Sequence, residues 1–211
     1  MSYNNVVALN KKARKPHKKI GGVLATKVAK LEKAVRKAKP ETKYAVTIFS
    51  DYIENTYALG AVFLVPQGVG DGNRVADDIF VKNIKVSMDI RKLSSPTDTA
   101  GFICWVLDKY NNDGGVPVYA DIMETYLHNS ILRHETKSRY QVLKMIRWTD
   151  NADKNMLLKE FVIPVNKQIH FDGTAATDCR KNQVYILMGG NRPVASAPYT
   201  DIINRIYYTD V

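Results

Sequence analysis

The sequence predicts an all-β protein, a two-sheet sandwich or jelly roll, with a basic arm at its N-terminus. Three observations lead there. Between Tyr44 and Val211 apolar residues recur with period two in about eight short segments. The connections between those segments are unequal and sometimes long, which favours Greek-key wiring over a simple meander. Helices do not alternate regularly with strands, which argues against a doubly wound α/β sheet.

The chain of 211 residues, 45% hydrophobic and 25% charged, suits one soluble domain plus an appendage. No apolar run approaches the roughly 20 residues that span a bilayer, and the basic N-terminus lacks the apolar core of a secretory signal. Cys104 and Cys179 are too few for a disulfide scaffold. They read as buried free thiols of a reducing compartment, cytoplasm or nucleus.

Charge divides the chain at residue 43. The arm, residues 1–43, holds thirteen basic residues: Lys11, Lys12, Arg14, Lys15, Lys18, Lys19, Lys27, Lys30, Lys33, Arg36, Lys37, Lys39 and Lys43. Only Glu32 and Glu41 oppose them, a net charge of +11. The body, residues 44–211, holds 18 basic against 19 acidic residues, a net −1. A segregated basic segment is the footprint of a polyanion binder, so the thirteen are the candidate nucleic-acid-binding residues. Lys11 to Lys19 also reads as a nuclear import signal.

Within the arm, 10–22 has little apolar surface to bury and is expected to order only on a partner. Leu24, Val28, Leu31, Val35 and Ala38 recur at helical spacing, which predicts a helix over about 23–38, stopped by Pro40. Its apolar stripe fits docking on the body or on copies of itself. Folding on nucleic acid and lying on a membrane surface are the other readings, and the lack of an aromatic anchor weighs against the last.

The body strands follow in order. Tyr44–Tyr52 is the first and Tyr57–Val65 the second, closed by Pro66-Gln67-Gly68. Phe80–Arg91 alternates, with Ile84, Val86, Met88 and Ile90 on one face and Lys85, Ser87, Asp89 and Arg91 on the other. Phe102–Tyr110 ends at Asn111-Asn112-Asp113-Gly114-Gly115. Tyr119–His128 is ambiguous, with a short helix in a long loop as one reading. Tyr140–Trp148 precedes a turn at Asp150–Lys154. Leu157–Phe171 alternates except at Lys167, which breaks its stripe. Asp172–Asn182 reads as a polar connection. Gln183–Met188 and Tyr199–Thr209 complete the set.

No catalytic constellation emerges, and no cofactor is implied. His17, His128, His134 and His170 form no pair at metal-ligand spacing. Gly68-Val69-Gly70-Asp71-Gly72 lacks the Lys-Ser/Thr ending of a phosphate loop and reads as a turn. Asp71, Asp77 and Asp78 are a weak candidate for calcium between subunits. Arg74, Trp105, Tyr110 and Trp148 fit either a face toward nucleic acid or a neighbour, or plain core and interface packing.

Several segments together resemble a known family. Pro66-Gln67-Gly68 followed by Gly72-Asn73-Arg74-Val75-Ala76-Asp77-Asp78-Ile79 resembles the stretch before the third strand of circular single-stranded DNA virus capsid proteins. Cys104–Lys109 through Asn112-Asp113-Gly114, then Arg139–Leu143, Asn182–Leu187 and Ile203–Thr209, follow in the family's order. Ala76 departs from it, where the family usually has Gly. The resemblance implies a single eight-stranded jelly roll, with about sixty copies in a T=1 icosahedral shell. It also implies an arm on a single-stranded DNA or RNA genome, host nuclear import receptors as partners, the virion and host nucleus as locations, and no enzyme or membrane role. A non-viral nucleic-acid-binding β-sandwich is the competing function, and a jelly-roll enzyme or sugar binder is a third.

Overall fold

The computed structural model describes residues 25–31, 41–91, 99–110, 116–125, 127–150 and 156–211. Contacts divide the chain into two units, Met1–Pro40 and Glu41–Val211. In the first, residues 25–31 form a helix, α1, and all seven are exposed. The rest of the expected helix, 23–24 and 32–38, lies outside the described residues.

The described residues of the second unit form nine strands: β1 (Lys43–Tyr52), β2 (Ala58–Ala61), β3 (Asp78–Arg91), β4 (Thr99–Asp108), β5 (Tyr140–Asp150), β6 (Met156–Phe171), β7 (Cys179–Lys181), β8 (Gln183–Gly190) and β9 (Tyr199–Asp210). One sheet has the order β1-β9-β3-β6-β7 and the other β2-β8-β4-β5. Every pairing between these strands is antiparallel. The chain crosses repeatedly from one sheet to the other, which makes the sandwich a jelly roll. Eight strands make its two four-stranded halves. The ninth, β7, adds three residues beside the end of β6 and falls within the segment expected to be a polar connection.

Alternation explains the core. Ile84, Val86, Met88 and Ile90 of β3 are buried, and they meet Ile103, Trp105 and Leu107 of β4 between the sheets. Burying a side chain of this size contributes roughly 1.5–3 kcal/mol each, an upper figure because the unfolded chain is itself partly collapsed. β4 is buried on both faces, for a second reason. Phe102, Cys104 and Val106 point outward and are roofed by Tyr119, Ile122 and Met123. Tyr119–Ile122 is a single helical turn, α2, the short helix left open by the sequence.

β2 ends earlier than its apolar run suggests. Val62, Phe63 and Val65 are fully buried yet lie beyond the ladder. The Gln183 side chain replaces a strand there: its Oε1 accepts from Phe63 N–H at 3.0 Å, and its Nε2 donates to Phe63 O at 3.3 Å. The break at Lys167 also has a cause. Asn166 takes a left-handed φ of 48°, and the β3–β6 register shifts between Val81 and Asn83. That bulge turns Lys167 outward before Ile169 and Phe171 return to the core. Cys104 and Cys179 are buried free thiols.

Candidate nucleic-acid interface

Lys27 and Lys30 stand exposed on α1, beside the exposed Val28 and Leu31. Lys11, Lys12, Arg14, Lys15, Lys18, Lys19, Lys33, Arg36, Lys37 and Lys39 lie outside the described residues, as does the import-signal stretch 11–19.

Lys43 stands apart from the other twelve. It is the first residue of β1, and its Nζ sits 2.8 Å from Asp210 Oδ2 and 3.2 Å from Asn73 O. Its charge ties the start of the first strand to the end of the last. Burial would raise the carboxyl pKa of Asp210, but hydrogen bonds from Lys43 and the Val75 N–H outweigh it and hold the group below its ordinary range.

Of the two readings open for Trp105 and Arg74, a contact face or core packing, the structure has core packing for both. Trp105 is fully buried and donates its indole N–H to Asn204 Oδ1 at 3.1 Å, joining β4 to β9 across the sandwich. Arg74 is fully buried as well. Its guanidinium donates to Val65 O at 3.2 Å, Ala76 O at 3.0 Å and Gly173 O, and lies over the Phe171 ring. It holds the turn after β2 against the β6–β7 connection. Tyr110 is exposed, and Trp148 packs against the core.

Two of the three aspartates of the calcium candidate are engaged elsewhere. Asp77 pairs with Arg74 and Asp78 with His170. Among the described residues, no group of three His, Cys, Asp or Glu is arranged to hold a metal ion. No described helix is long and apolar enough to cross a membrane.

The fold assembles one basic feature that sequence order conceals. Lys144 and Arg147 of β5 and Lys159 of β6 line an open cleft of about 360 Å³ with Phe161. Lys144 Nζ lies 5.8 Å from the Phe161 ring centre, and Arg147 is braced by Ser130 O at 2.6 Å. Glu160 shares the cleft but faces Lys85 at 3.9 Å. These residues belong to strands of different sheets, so no local spacing marks them.

The two sheets differ on their outer faces. The four-stranded sheet is roofed by residues around α2. The five-stranded sheet exposes Tyr44, Val46 and Ile48 of β1, Leu158 and Val162 of β6 and Ile203 of β9. Arg205 lies over the Tyr44 ring at 5.5 Å, and Tyr44 and Tyr207 are ring neighbours at 6.4 Å. The stripe on β1, with Ile203 beside Ile48, is separated from Leu158 and Val162 by Arg205 and Asp201 of β9 and by Lys85, Ser87 and Asp89 of β3.

No protein-family model matches the chain, and no curated protein matches it. Solved structures do. A Desmodium yellow mottle tymovirus structure is 12% identical with a TM-score of 0.36, over 82% of this chain and 89% of that one. The 60-mer BFDV capsid protein is 12% identical with a TM-score of 0.34, over 82% and 94%. A disulfide-linked pilus of Bacillus endospore appendages is 10% identical with a TM-score of 0.31, over 82% and 93%. With likenesses this distant, the assignment of the jelly roll rests on the strand order of the chain itself.

Proposed function

We propose that this chain is a viral capsid protein. Its jelly-roll body tiles into a small icosahedral shell of about sixty copies, and its arm packages a single-stranded nucleic acid genome. One observation carries the proposal: all the excess positive charge lies upstream of a near-neutral jelly roll. With Lys43 assigned to β1, the arm through Thr42 keeps twelve basic residues against two glutamates, a net +10. Such an arm neutralises phosphates without reading bases, while the near-neutral body packs against copies of itself without strong repulsion. DNA as the genome, host import receptors as partners, and the nucleus as a place of assembly belong to the same proposal, supported by the segment resemblance and the basic run 11–19.

The test compares the full chain with a chain lacking residues 1–39. Light scattering of the full chain with nucleic acid should show large closed particles, and a monomer or dimer under all salts and pH values would reject the shell. Circular dichroism should show the β structure retained in the shortened chain, while its ratio of absorbance at 260 and 280 nm falls to that of bare protein. Affinity of the full chain should fall log-linearly with salt. Nucleic acid retained by the folded shortened chain at moderate salt would move the binding site to the body, with the Lys144, Arg147 and Lys159 cleft as its place.

A further inference from the structure

An unpaired strand edge invites another strand, and proteins guard such edges with short strands, proline, bulges or charge. Most lateral edges of this sandwich are guarded. β2 is four residues long. β5 carries Lys144 and Arg147, and its register shifts opposite Trp105 and Val106. The edge of β6 is covered by β7 at one end and elsewhere carries Lys159, Glu160, Pro164 and the left-handed Asn166.

The remaining edge, β1, has none of these devices. Its ten residues keep unbroken register with β9, from Lys43 opposite Tyr208 to Tyr52 opposite Tyr199. It contains no proline, and its only charges, Lys43 and Asp51, stand near its two ends. The pattern of the ladder says which backbone groups face outward. Ile53 N–H continues the ladder by donating to Pro198 O at 2.8 Å, so the odd-numbered residues face β9. The even-numbered Tyr44, Val46, Ile48 and Ser50 therefore turn their N–H and C=O groups to the open edge. Tyr52 fits this pattern, since its N–H bonds the Asp51 carboxylate at 2.8 Å. The side chains of the same even residues supply the exposed apolar stripe: Tyr44 is 52%, Val46 46% and Ile48 68% exposed.

We propose that β1 pairs antiparallel with β1 of a second copy, across a two-fold axis through Thr47. Charge selects this register. Even residues must face even residues for their hydrogen bonds to form, which leaves few alternatives. With the axis at Thr47, Lys43 of each copy, whose Nζ already holds Asp210 of its own chain at 2.8 Å, stands opposite Asp51 of the other, so that the two ends of the ladder meet with opposite rather than like charge. Val46 then meets Ile48, Tyr44 meets Ser50, and the small Ala45 meets the large Phe49. Moving the axis to Val46 sets Glu41 opposite Asp51, like against like. Moving it to Ile48 leaves Asp51 opposite Ala45 and Lys43 opposite Ile53. Opposite charges across a strand pair stabilise it and like charges oppose it. The pairing would join two five-stranded sheets into one continuous sheet and bring their exposed apolar stripes side by side. It supplies a two-fold joint for the proposed shell, and rests on that proposal only for the size of the final assembly.

The test uses the full chain with Val46→Cys and, separately, Ile48→Cys, both on the exposed face. Cys104 and Cys179 are fully buried and stay silent. With a mild oxidant, the mixture of the two variants should form a disulfide-linked dimer, because residue 46 stands opposite 48. Each variant alone should cross-link several-fold less, because like positions lie diagonally, about 7–8 Å apart. No cross-linked dimer in the mixture, or equal cross-linking in each variant alone, overturns the pairing. Light scattering on the same samples separates the two proposals. Large particles without cross-links keep the shell and reject this joint, while a cross-linked dimer with nothing larger keeps the joint and rejects the shell.

Discussion

The guanidinium of Arg74 lies 4.2 Å above the ring of Phe171, with no exposure to solvent. Its N–H groups serve backbone carbonyls, and Val65, Ala76 and Gly173 accept them. Replacing Arg74 with Ala strips several buried carbonyls of donors and removes the ring's partner. The expected loss is about 1–3 kcal/mol for each buried carbonyl left without a donor, read as a lower urea midpoint. Arg74→Lys should recover little of it, since an ammonium lacks the planar fork. Stability unchanged in Arg74→Ala would show that the clamp is not a stabilising contact.

Asn204 is the acceptor for the indole of Trp105. Asn204→Leu keeps the volume and removes the acceptor, leaving a buried N–H without its bond. A loss of about 1–3 kcal/mol is expected, along with a shift in tryptophan emission in the folded protein. Native emission identical to the unmodified chain would mean that the indole has another partner.

Acid should loosen the end of the sandwich where β1 and β9 meet. The pKa of Asp210 is lowered in the folded protein, so its charged form binds there more strongly than in the unfolded chain. The stability it contributes is complete above the unfolded carboxylate pKa of about 4 and is lost as pH falls through the lower folded value. Lys43→Met should flatten that part of the pH–stability profile below about pH 4. An unchanged acid slope in Lys43→Met would separate Lys43 from the titration.

The two thiols should be silent in the native state. Burial pushes both Cys104 and Cys179 up to about 12, so little thiolate forms at ordinary pH. A thiol reagent at pH 8 should modify neither until denaturant unfolds the chain, and then should modify both. Prompt reaction of either thiol in the native protein would mean that the core around it opens readily.

The sheets were legible because period two survives along most strands. β3 shows this best: its four inward residues can be read from the sequence, and all four are buried. β7 was not legible, since three residues are too few to carry a period. The short β2 hid for the opposite reason: Val62, Phe63 and Val65 look like strand because they are buried, but beyond Val62, whose N–H still reaches Val184 O, the Gln183 side chain bonds Phe63 and Arg74 bonds Val65 O. Charge composition alone could not separate Lys43 from the other basic residues, because the partner Asp210 is far away in sequence. Arg74 stayed open between surface contact and core packing for the same reason. An arginine beside a glycine-rich turn looks like a surface contact until Phe171 closes over it. The cleft of Lys144, Arg147 and Lys159 needs two sheets to meet before it exists.

The placement of β1 beside β9 also has a consequence in time. β1 is the first described strand of the body to be made and β9 the last, and among the described strands β1 pairs with β9 alone. During synthesis β1 therefore waits, with both of its edges unpaired, until the last twelve-residue strand has left the ribosome. Closing so long a loop is slow, because its entropy is lost before the strand pair forms. The same apolar stripe then lies open to premature pairing between nascent chains, so the yield of folded protein should depend on how many ribosomes crowd one message.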